Sequence, residues 1–345
     1  MTTRVAIVGT GGNGASIGAD MTRAGHDVTF IEQWPAHVEA MRENGIRITT
    51  PADGLSEVTR VNVKHLCEVA TLREQFDIVY VVLKAYDTRW GVELIKPLVK
   101  DDGVVVGLQN GMSIDDVVSI MGEERALGGV IELGSNMFEP GEVERHNLNA
   151  NTWFALGSDN PVAHQKADRA AELLRAAGTV EVVDDIRSAK WMKLVLNAAE
   201  LVPSAILDLS IVEASKQPGM RELMLEAGNE AVRAVLAQGL RIVPIFGMDA
   251  VDPDRPELFV STLFDLLLTE FALPTTKATV LHDWIKGRRS EVDQINGLVV
   301  DVLEKAGSRA PVNAAATEVA HRIERGELSP GIENLELFST LAARL

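Results

Sequence analysis

Lys193 and Asn197 stand four residues apart in the run Lys190-Trp191-Met192-Lys193-Leu194-Val195-Leu196-Asn197. On a helix that spacing puts an ammonium and an amide one turn apart on the same face, where both can address one small molecule. A lysine beside a carbonyl can donate a proton to the oxygen as hydride reaches the carbon, which is general-acid catalysis. Apolar neighbours flank Lys193, so the reading of a merely solvated face suits Lys190 better. Two more polar clusters each follow an apolar run directly. Lys84-Ala85-Tyr86-Asp87-Thr88 comes after residues 78–83, and Gln109-Asn110-Gly111-Met112 after residues 104–108. Ligands in open α/β sheets bind outside the carboxyl ends of the strands, so both clusters are placed for binding. Taken singly, Asn110-Gly111 reads equally well as a turn and Lys84 as an exposed base.

Hydride chemistry needs a carrier, and the start of the chain offers a place for one. Gly9-Thr10-Gly11-Gly12-Asn13-Gly14 follows the apolar run Val5-Ala6-Ile7-Val8 and opens a stretch that reads as helix through Ala24. A second apolar run, Val28-Thr29-Phe30-Ile31, ends in Glu32. Strand, glycine loop, helix, strand and terminal acid in that order predict a dinucleotide-binding βαβ unit. Gly9, Gly11, Gly12, Asn13 and Gly14 are then the cofactor loop, and the helix N-terminus offers unpaired N–H groups to a pyrophosphate. An acid in the position of Glu32 accepts hydrogen bonds from the adenosine ribose hydroxyls and repels a 2′-phosphate. Gln33 and Trp34 follow it, and the nearest base downstream is Arg42, so NAD is favoured over NADP. The competing role for Glu32 is a cap on the helix that starts near Pro35.

These residues need elements to hold them, and 345 residues suffice for two domains with sizeable cores. Apolar runs at 78–83, 104–108, 126–131, 152–156 and 181–183 read as further strands. Helices are expected at 88–100, where Pro97 should end or perturb the helix, and at 162–177. That alternation predicts a Rossmann-type doubly wound α/β domain over residues 1–186. From 187 to 345 the texture becomes all-helical, with helices expected at 188–199, 219–238, 256–271, 277–288, 290–305 and 313–325. The crevice between two such domains is the expected place for the second substrate.

Composition narrows the partners. Fifty acidic residues against 33 basic ones give a net charge of −17, which argues against nucleic acid and anionic membranes. No apolar run approaches membrane-spanning length, and the first strand follows the start too closely for a signal peptide. Cys67, the single cysteine, reads as a small packing residue, which rules out an internal disulfide and suits a reducing cytoplasm. The seven histidines are scattered, so no metal site is expected.

Residues 279–297 run Thr279-Val280-Leu281-His282-Asp283-Trp284-Ile285-Lys286-Gly287-Arg288-Arg289-Ser290-Glu291-Val292-Asp293-Gln294-Ile295-Asn296-Gly297. This pattern resembles the ketopantoate reductase family, also called 2-dehydropantoate 2-reductase. There a hydroxyl residue, an Asp four on, Gly-Arg and a Thr/Ser-Glu-Ile/Val-Asp…Asn-Gly run mark the helical domain. The glycine loop, Lys84, Gln109-Asn110-Gly111, and Lys193 with Asn197 fall in the family's order, so the resemblance covers most of the chain. It implies a helical domain like the C-terminal domain of 6-phosphogluconate dehydrogenase and a place in pantothenate biosynthesis. It implies Lys193 as general acid on the keto oxygen, with Glu291 holding Lys193 or the substrate hydroxyl. Asn110, Asn197 and Thr279 would orient the substrate, Thr279 facing its carboxylate. Lys84 and Asn110 would line the nicotinamide side, with Glu291 also near the cofactor.

Three departures bear on the substrate. Leu201-Val202-Pro203-Ser204 stands where the family commonly shows a second asparagine in an Asn-Pro-Leu-Thr-like context, so Leu201 makes the substrate site more apolar. Residues 243–274, with Phe246, Phe259, Phe264 and Phe271, exceed the family's usual connection and suggest a lid, an oligomer contact such as a homodimer's, or one more packed helix. Glu32 departs from the family's NADP preference. Together they point away from ketopantoate itself towards a related 2-oxo acid or a bulkier oxo-acid, although ketopantoate stays the leading named small-molecule substrate. Other readings are an opine- or 3-hydroxyacid-type dehydrogenase and a dinucleotide-binding redox sensor. The Ser290-Glu291-Val292-Asp293 run speaks against the first. The sensor leaves Lys193, Asn197 and Glu291 without a reason to occur together.

Overall fold

The near-continuous apolar runs become the middle of one large sheet. The computed structural model describes residues 3–248, 251–252, 255–271 and 275–344. It divides into two compact units, Met1–Arg187 and Ser188–Leu345. The first unit runs β1 (Arg4–Val8), α1 (Gly12–Arg23), β2 (Asp27–Glu32), α2 (Pro35–Asn44), β3 (Ile46–Thr50), β4 (Leu55–Thr59), β5 (Asn62–His65), β6 (Phe76–Val81), α3 (Thr88–Ile95), β7 (Val99–Leu108), α4 (Ile114–Met121), β8 (Ala126–Glu132), β9 (Ser135–Asn136), β10 (Glu142–Arg145), β11 (Trp153–Gly157), α5 (Pro161–His164), α6 (Ala167–Leu174) and β12 (Thr179–Val182).

The main sheet has the order β12-β11-β8-β7-β6-β1-β2-β5. Neighbours pair in parallel except β8 with β11. Val5, Ile7, Ile78, Tyr80, Val104 and Val106 fall in one buried cluster, whereas Ala6, Val8, Val79, Val81 and Val105 fall in another. Successive residues point to opposite faces of a strand, so a sheet covered on both sides needs unbroken apolar runs. This is a doubly wound α/β domain, and its strand order reverses beside β1, where the glycine loop lies.

Several local expectations change. The helix expected over 88–100 stops at Ile95, because Pro97 sits in the 3-10 turn Lys96–Leu98 and Val99 already belongs to β7. The expected helix over 162–177 divides into α5 and α6. A second sheet, β4-β3-β10-β9, was not anticipated. Its β10 is tied to α1 by an ion pair: Arg145 Nη1 lies 2.5 Å from Asp20 Oδ2, and Nη2 donates to Thr152 Oγ1 and the Ala177 carbonyl. Burial pushes the Asp20 carboxyl above its ordinary value, against the pull of Arg145. Cys67 is exposed, so it is not a packing residue.

The helix α7 (Ile186–Ile206) leads into the second unit, followed by α8 (Ile211–Ala214), α9 (Met220–Ala237), α10 (Pro256–Leu266), α11 (Thr279–Ile285), α12 (Asn296–Lys305), α13 (Pro311–Glu324) and α14 (Asn334–Arg344). Among the described residues the second unit contains no strand, as expected of a helical domain. A buried polar network fastens it. Both Glu230 oxygens accept amide bonds of 2.9 Å from Val312 and Asn313 at the N-terminus of α13, where a carboxylate is favoured. Asn313 also donates to the Ala227 carbonyl, and Asn296 Nδ2 donates to the Ala198 carbonyl and to Asn313 Oδ1. Burial pushes the Glu230 carboxyl up. Asn296, read as part of a signature, therefore joins α12 to α7 and α13.

The helix expected over 290–305 begins only at Asn296. Before it, the Ser290 amide and hydroxyl both donate to Glu324 at 2.8 and 2.6 Å, and Ile295 leaves helical geometry at φ −115° and ψ −86°. Residues 249–250, 253–254 and 272–274 of the long connection, and the side chain of Phe271, lie outside the described residues. No helix among the described residues is long and apolar enough to cross a membrane.

Candidate active site

The glycine loop is shaped by two contacts that permit no side chain. Gly9 has φ +90°, and a Cβ on it would come 2.7 Å from Leu83. A Cβ on Gly14 would lie 2.1 Å from the Gly9 carbonyl oxygen, so the loop and the first turn of α1 touch backbone to backbone. Gly11, the N-cap of α1, is different: a Cβ there would meet nothing within 4 Å. That open space adjoins a helix start with no side-chain cap and no acid in its first turn. Unpaired N–H groups and the positive end of the helix dipole thus face a space that a pyrophosphate can fill. A dinucleotide fits these residues.

Thr10, between the two glycines, is gripped from all its polar sides. Glu32 Oε2 accepts from the Thr10 amide at 2.8 Å and from its hydroxyl at 2.9 Å. Glu32 Oε1 accepts from the amides of Gln33 and Trp34 at 2.8 and 2.9 Å, just ahead of α2. The carboxylate, 5% exposed, thus spends four acceptor sites on the protein, the number a carboxylate has. The cap role weighed for Glu32 is not what it performs: α2 has Trp34 as its N-cap and no side-chain cap, and the carboxylate locks the loop to the turn before that helix. On the other side His37 Nε2 stands 2.9 Å from the Thr10 carbonyl, and the Gly141 amide donates to His37 Nδ1 at 2.8 Å. That pattern fixes a neutral ring with its proton on Nε2. Burial holds the His37 pKa below the ordinary histidine value, although Glu32 opposes the shift. Ser135 of β9 donates to Asn13 Oδ1 at 2.5 Å, and a Cβ on Gly12 would strike Ser135.

Lys84 and Asn110 follow neighbouring strands, β6 and β7, and both are half-buried. Gln109 brings the two loops together. Its Nε2 donates to the Leu83 carbonyl and Thr88 Oγ1 at 2.9 Å each, and more weakly to the Lys84 carbonyl. Gly111, at φ +71°, then turns the chain.

In the second unit, α7 carries Lys193, Asn197 and Leu201 on successive turns of one face, 8%, 1% and 7% exposed. Lys190, expected on a solvated face, is buried at 2% exposure. Asn197 Nδ2 is a buried donor without a hydrogen-bond partner among the described residues, which is costly unless a ligand completes it. Lys193 Nζ lies 5.2 Å from the centroid of the Phe246 ring. Phe246 has φ +59°, a region that costs a bulky side chain about 1–3 kcal/mol. Thr279 opens α11 half-buried, and Glu291, 5% exposed, is the N-cap of the turn Val292–Gln294. The flanking motif residues serve the fold: Ser290 binds Glu324, and Asp293 binds His321 at 2.7 Å. An open cavity of about 670 Å³ lies elsewhere in this unit, lined by Lys277, Leu281, Trp284, Arg288 and Glu324 among others, and none of the expected substrate residues borders it. No cluster among the described residues could hold a metal ion.

The sequence reading missed His37 and Ser135, and named Phe246 only within the long connection, without its contact with Lys193. Only Phe246 left a trace in the sequence, since Phe246-Gly247 follows Pro244 as a turn would.

A dinucleotide loop at the switch point of a parallel sheet, joined in one chain to a helical unit with a buried lysine, defines a two-unit nicotinamide-dependent oxidoreductase. The family model described as Ketopantoate reductase PanE/ApbA matches residues 5–159, and its C-terminal companion matches residues 185–324. The chain belongs to the ketopantoate reductase family. It is an NAD(P)-dependent oxidoreductase that acts on CH–OH groups and reduces 2-oxo acids. It is 28% identical over 326 residues to the 2-dehydropantoate 2-reductase of Archaeoglobus fulgidus, covering 94% of this chain and 98% of that one. Among solved structures, a family member from Ralstonia eutropha is 25% identical with a TM-score of 0.78, over 94% of this chain and 99% of that one. D-mandelate dehydrogenase, solved with NADH and anilino(oxo)acetate, shares the fold at 21% identity and a TM-score of 0.81, over 94% of this chain and 99% of that one.

Proposed function

We propose that the protein reduces ketopantoate, or a 2-oxo acid with a bulkier apolar side chain, and that Lys193 supplies the proton. The observation that carries this reading is the face of α7: a buried lysine amine, one turn from a buried amide donor that lacks a partner among the described residues. When bound, the nicotinamide supplies a hydride to the carbonyl carbon. The protein's own residues then do the rest. Lys193 Nζ donates a proton to the keto oxygen as the carbon–oxygen double bond becomes single, so one hydride and one proton make the 2-hydroxy acid. Asn197 Nδ2 donates to the substrate, Thr279 faces its carboxylate, and Glu291 holds Lys193 or the new hydroxyl. Lys84 and Asn110 line the nicotinamide side. Charge complementarity and orientation, not a metal, are what these groups offer.

NAD is the proposed cofactor. The Glu32 carboxylate lies beside the loop, while Arg42, the nearest downstream arginine, is engaged by Glu39 and Glu68. Leu201 favours a less hydroxylated substrate than ketopantoate, and the shared fold of a dehydrogenase holding anilino(oxo)acetate supports an aromatic or branched side chain. The test is initial rates of NADH and NADPH oxidation with ketopantoate beside straight-chain, branched and aromatic 2-oxo acids. Fast turnover of any member supports the reading. A protein that binds NADH tightly yet reduces none of them refutes it.

A further inference from the structure

We propose that Phe246 is a positioning residue for Lys193, its ring fixing where the ammonium sits. This rests on the reading of Lys193 as the proton donor. Two anchors lay the segment after α9 along the first turns of α7. The Arg241 amide donates to Ser188 Oγ at 3.1 Å, and five residues further along both segments the Phe246 ring lies 5.2 Å from Lys193 Nζ. The ring is presented by a tight turn, closed by the Met248 amide donating to the Ile245 carbonyl at 3.1 Å. Its central residues, Phe246 and Gly247, have φ +59° and +71°. Positive φ at both central positions is the pattern that Asn-Gly satisfies best and that a bulky side chain resists. A phenylalanine there keeps a ring at the cost of the turn.

The ring suits that task. Lys193 and Phe246 are 8% and 9% exposed, so the contact is largely desolvated, where an ammonium on an aromatic face is held most strongly. Lysine has a flexible four-carbon stem, and fixing its end keeps the donor at the reacting oxygen. A further carboxylate, added to the one assigned to Glu291, could take the proton. An aromatic face attracts the charge through its quadrupole and has no lone pair to accept a proton, so it positions the acid without competing for what it donates.

Four full-length variants test this: Phe246→Leu, Phe246→Trp, Phe246→Asn and Lys193→Ala, each assayed with a 2-oxo acid that the unmodified protein reduces. Phe246→Leu should lose about tenfold in kcat, with Kd for NADH and Tm unchanged. Phe246→Trp, which keeps an aromatic face, should stay within about twofold of the starting kcat. Phe246→Asn should raise Tm by suiting the turn, yet lose kcat as Phe246→Leu does. Equal kcat in Phe246→Leu and the unmodified protein, with Lys193→Ala inactive, overturns this inference alone. Equal damage in the leucine and tryptophan variants also overturns it, by assigning the effect to the turn. An active Lys193→Ala removes the proton-donor reading beneath it.

Discussion

Glu32 holds Thr10 by two hydrogen bonds, 2.8 Å from its amide and 2.9 Å from its hydroxyl, and so ties the end of β2 to the cofactor loop. Hydrogen bonds to a charged acceptor contribute about 1.5–3 kcal/mol each, and a buried donor left unpaired costs a similar amount. Glu32→Gln keeps the shape but turns one acceptor into a donor. It should lower Tm by several degrees and weaken NADH binding together. Thermal melts beside an NADH fluorescence titration check this. Weaker binding at an unchanged Tm would assign the carboxylate to the ribose alone.

Cofactor preference should respond better at Gln33, which is exposed and carries no part of the lock. Gln33→Arg supplies a cation for a 2′-phosphate while Thr10 stays held. The ratio of kcat/KM for NADPH to that for NADH should rise about tenfold, as expected for one new charged contact. Adding Glu32→Ala should remove more activity with both cofactors than it gains in preference. A double variant more active with NADPH than Gln33→Arg would show that the Thr10 lock contributes little.

The contrast between these two residues shows how far the sequence reaches. That an acid ends β2 follows from the apolar run before it, and the glycine spacing places the loop. Which way the Glu32 carboxylate turns depends on Thr10 and on the start of α2, and no periodicity records it. The second sheet was hidden for a related reason: β4 is exposed at four of its five residues and β9 has only two, and their pairs with β3 and β10 become one sheet only where the distant strands β3 and β10 join. In the helical unit, helix spacing alone put Lys193 and Asn197 on one face, whereas Leu201, beyond the expected helix end, was singled out only through the family resemblance. The contact of Phe246 with Lys193 was not legible, since an irregular segment has no period from which its neighbours can be read.

His37 predicts a pH dependence of cofactor binding. Its Nδ1 accepts the Gly141 amide, so protonation there sets one N–H against another and pushes the ring off the seat from which Nε2 donates to Thr10. Burial lowers its pKa below the ordinary 6.5. In the folded protein the ring therefore stays neutral below pH 6.5, and its hold on the loop is lost only as pH falls through its own, lower pKa. NADH titrations across this range should show Kd rising as pH falls. His37→Phe should bind more weakly throughout and lose that dependence. His146→Gln is the control, since burial also lowers the His146 pKa. A dependence that survives in His37→Phe would place the titrating group elsewhere.

Leu201 should set the balance between ketopantoate and more apolar substrates. It is 7% exposed and one turn beyond Asn197, whose amide already lacks a partner. Leu201→Asn adds a polar group where a substrate hydroxyl could bond, and removes an apolar wall. The ratio of kcat/KM for ketopantoate to that for an apolar 2-oxo acid of similar size should rise at least about tenfold, since a site built to bond a hydroxyl discriminates strongly. Burying a new amide should also cost about 1–3 kcal/mol of stability without ligand, recovered in part on binding. An unchanged ratio would mean that Leu201 does not face the substrate.

Lys193 carries the strongest expectation. General-acid catalysis contributes about 10²–10⁴-fold, so Lys193→Ala should lower kcat by that factor. Its effect on NADH binding should be small, because the glycine loop, Glu32 and His37 do not depend on it. Lys193→Arg tests whether charge alone suffices. A guanidinium keeps the charge but is planar, longer and far less ready to give up a proton, so it should not restore kcat. Single-turnover reduction at saturating NADH measures the chemical step itself. A Lys193→Arg enzyme as fast as the unmodified one would mean that position 193 supplies charge, and that the proton comes from another group.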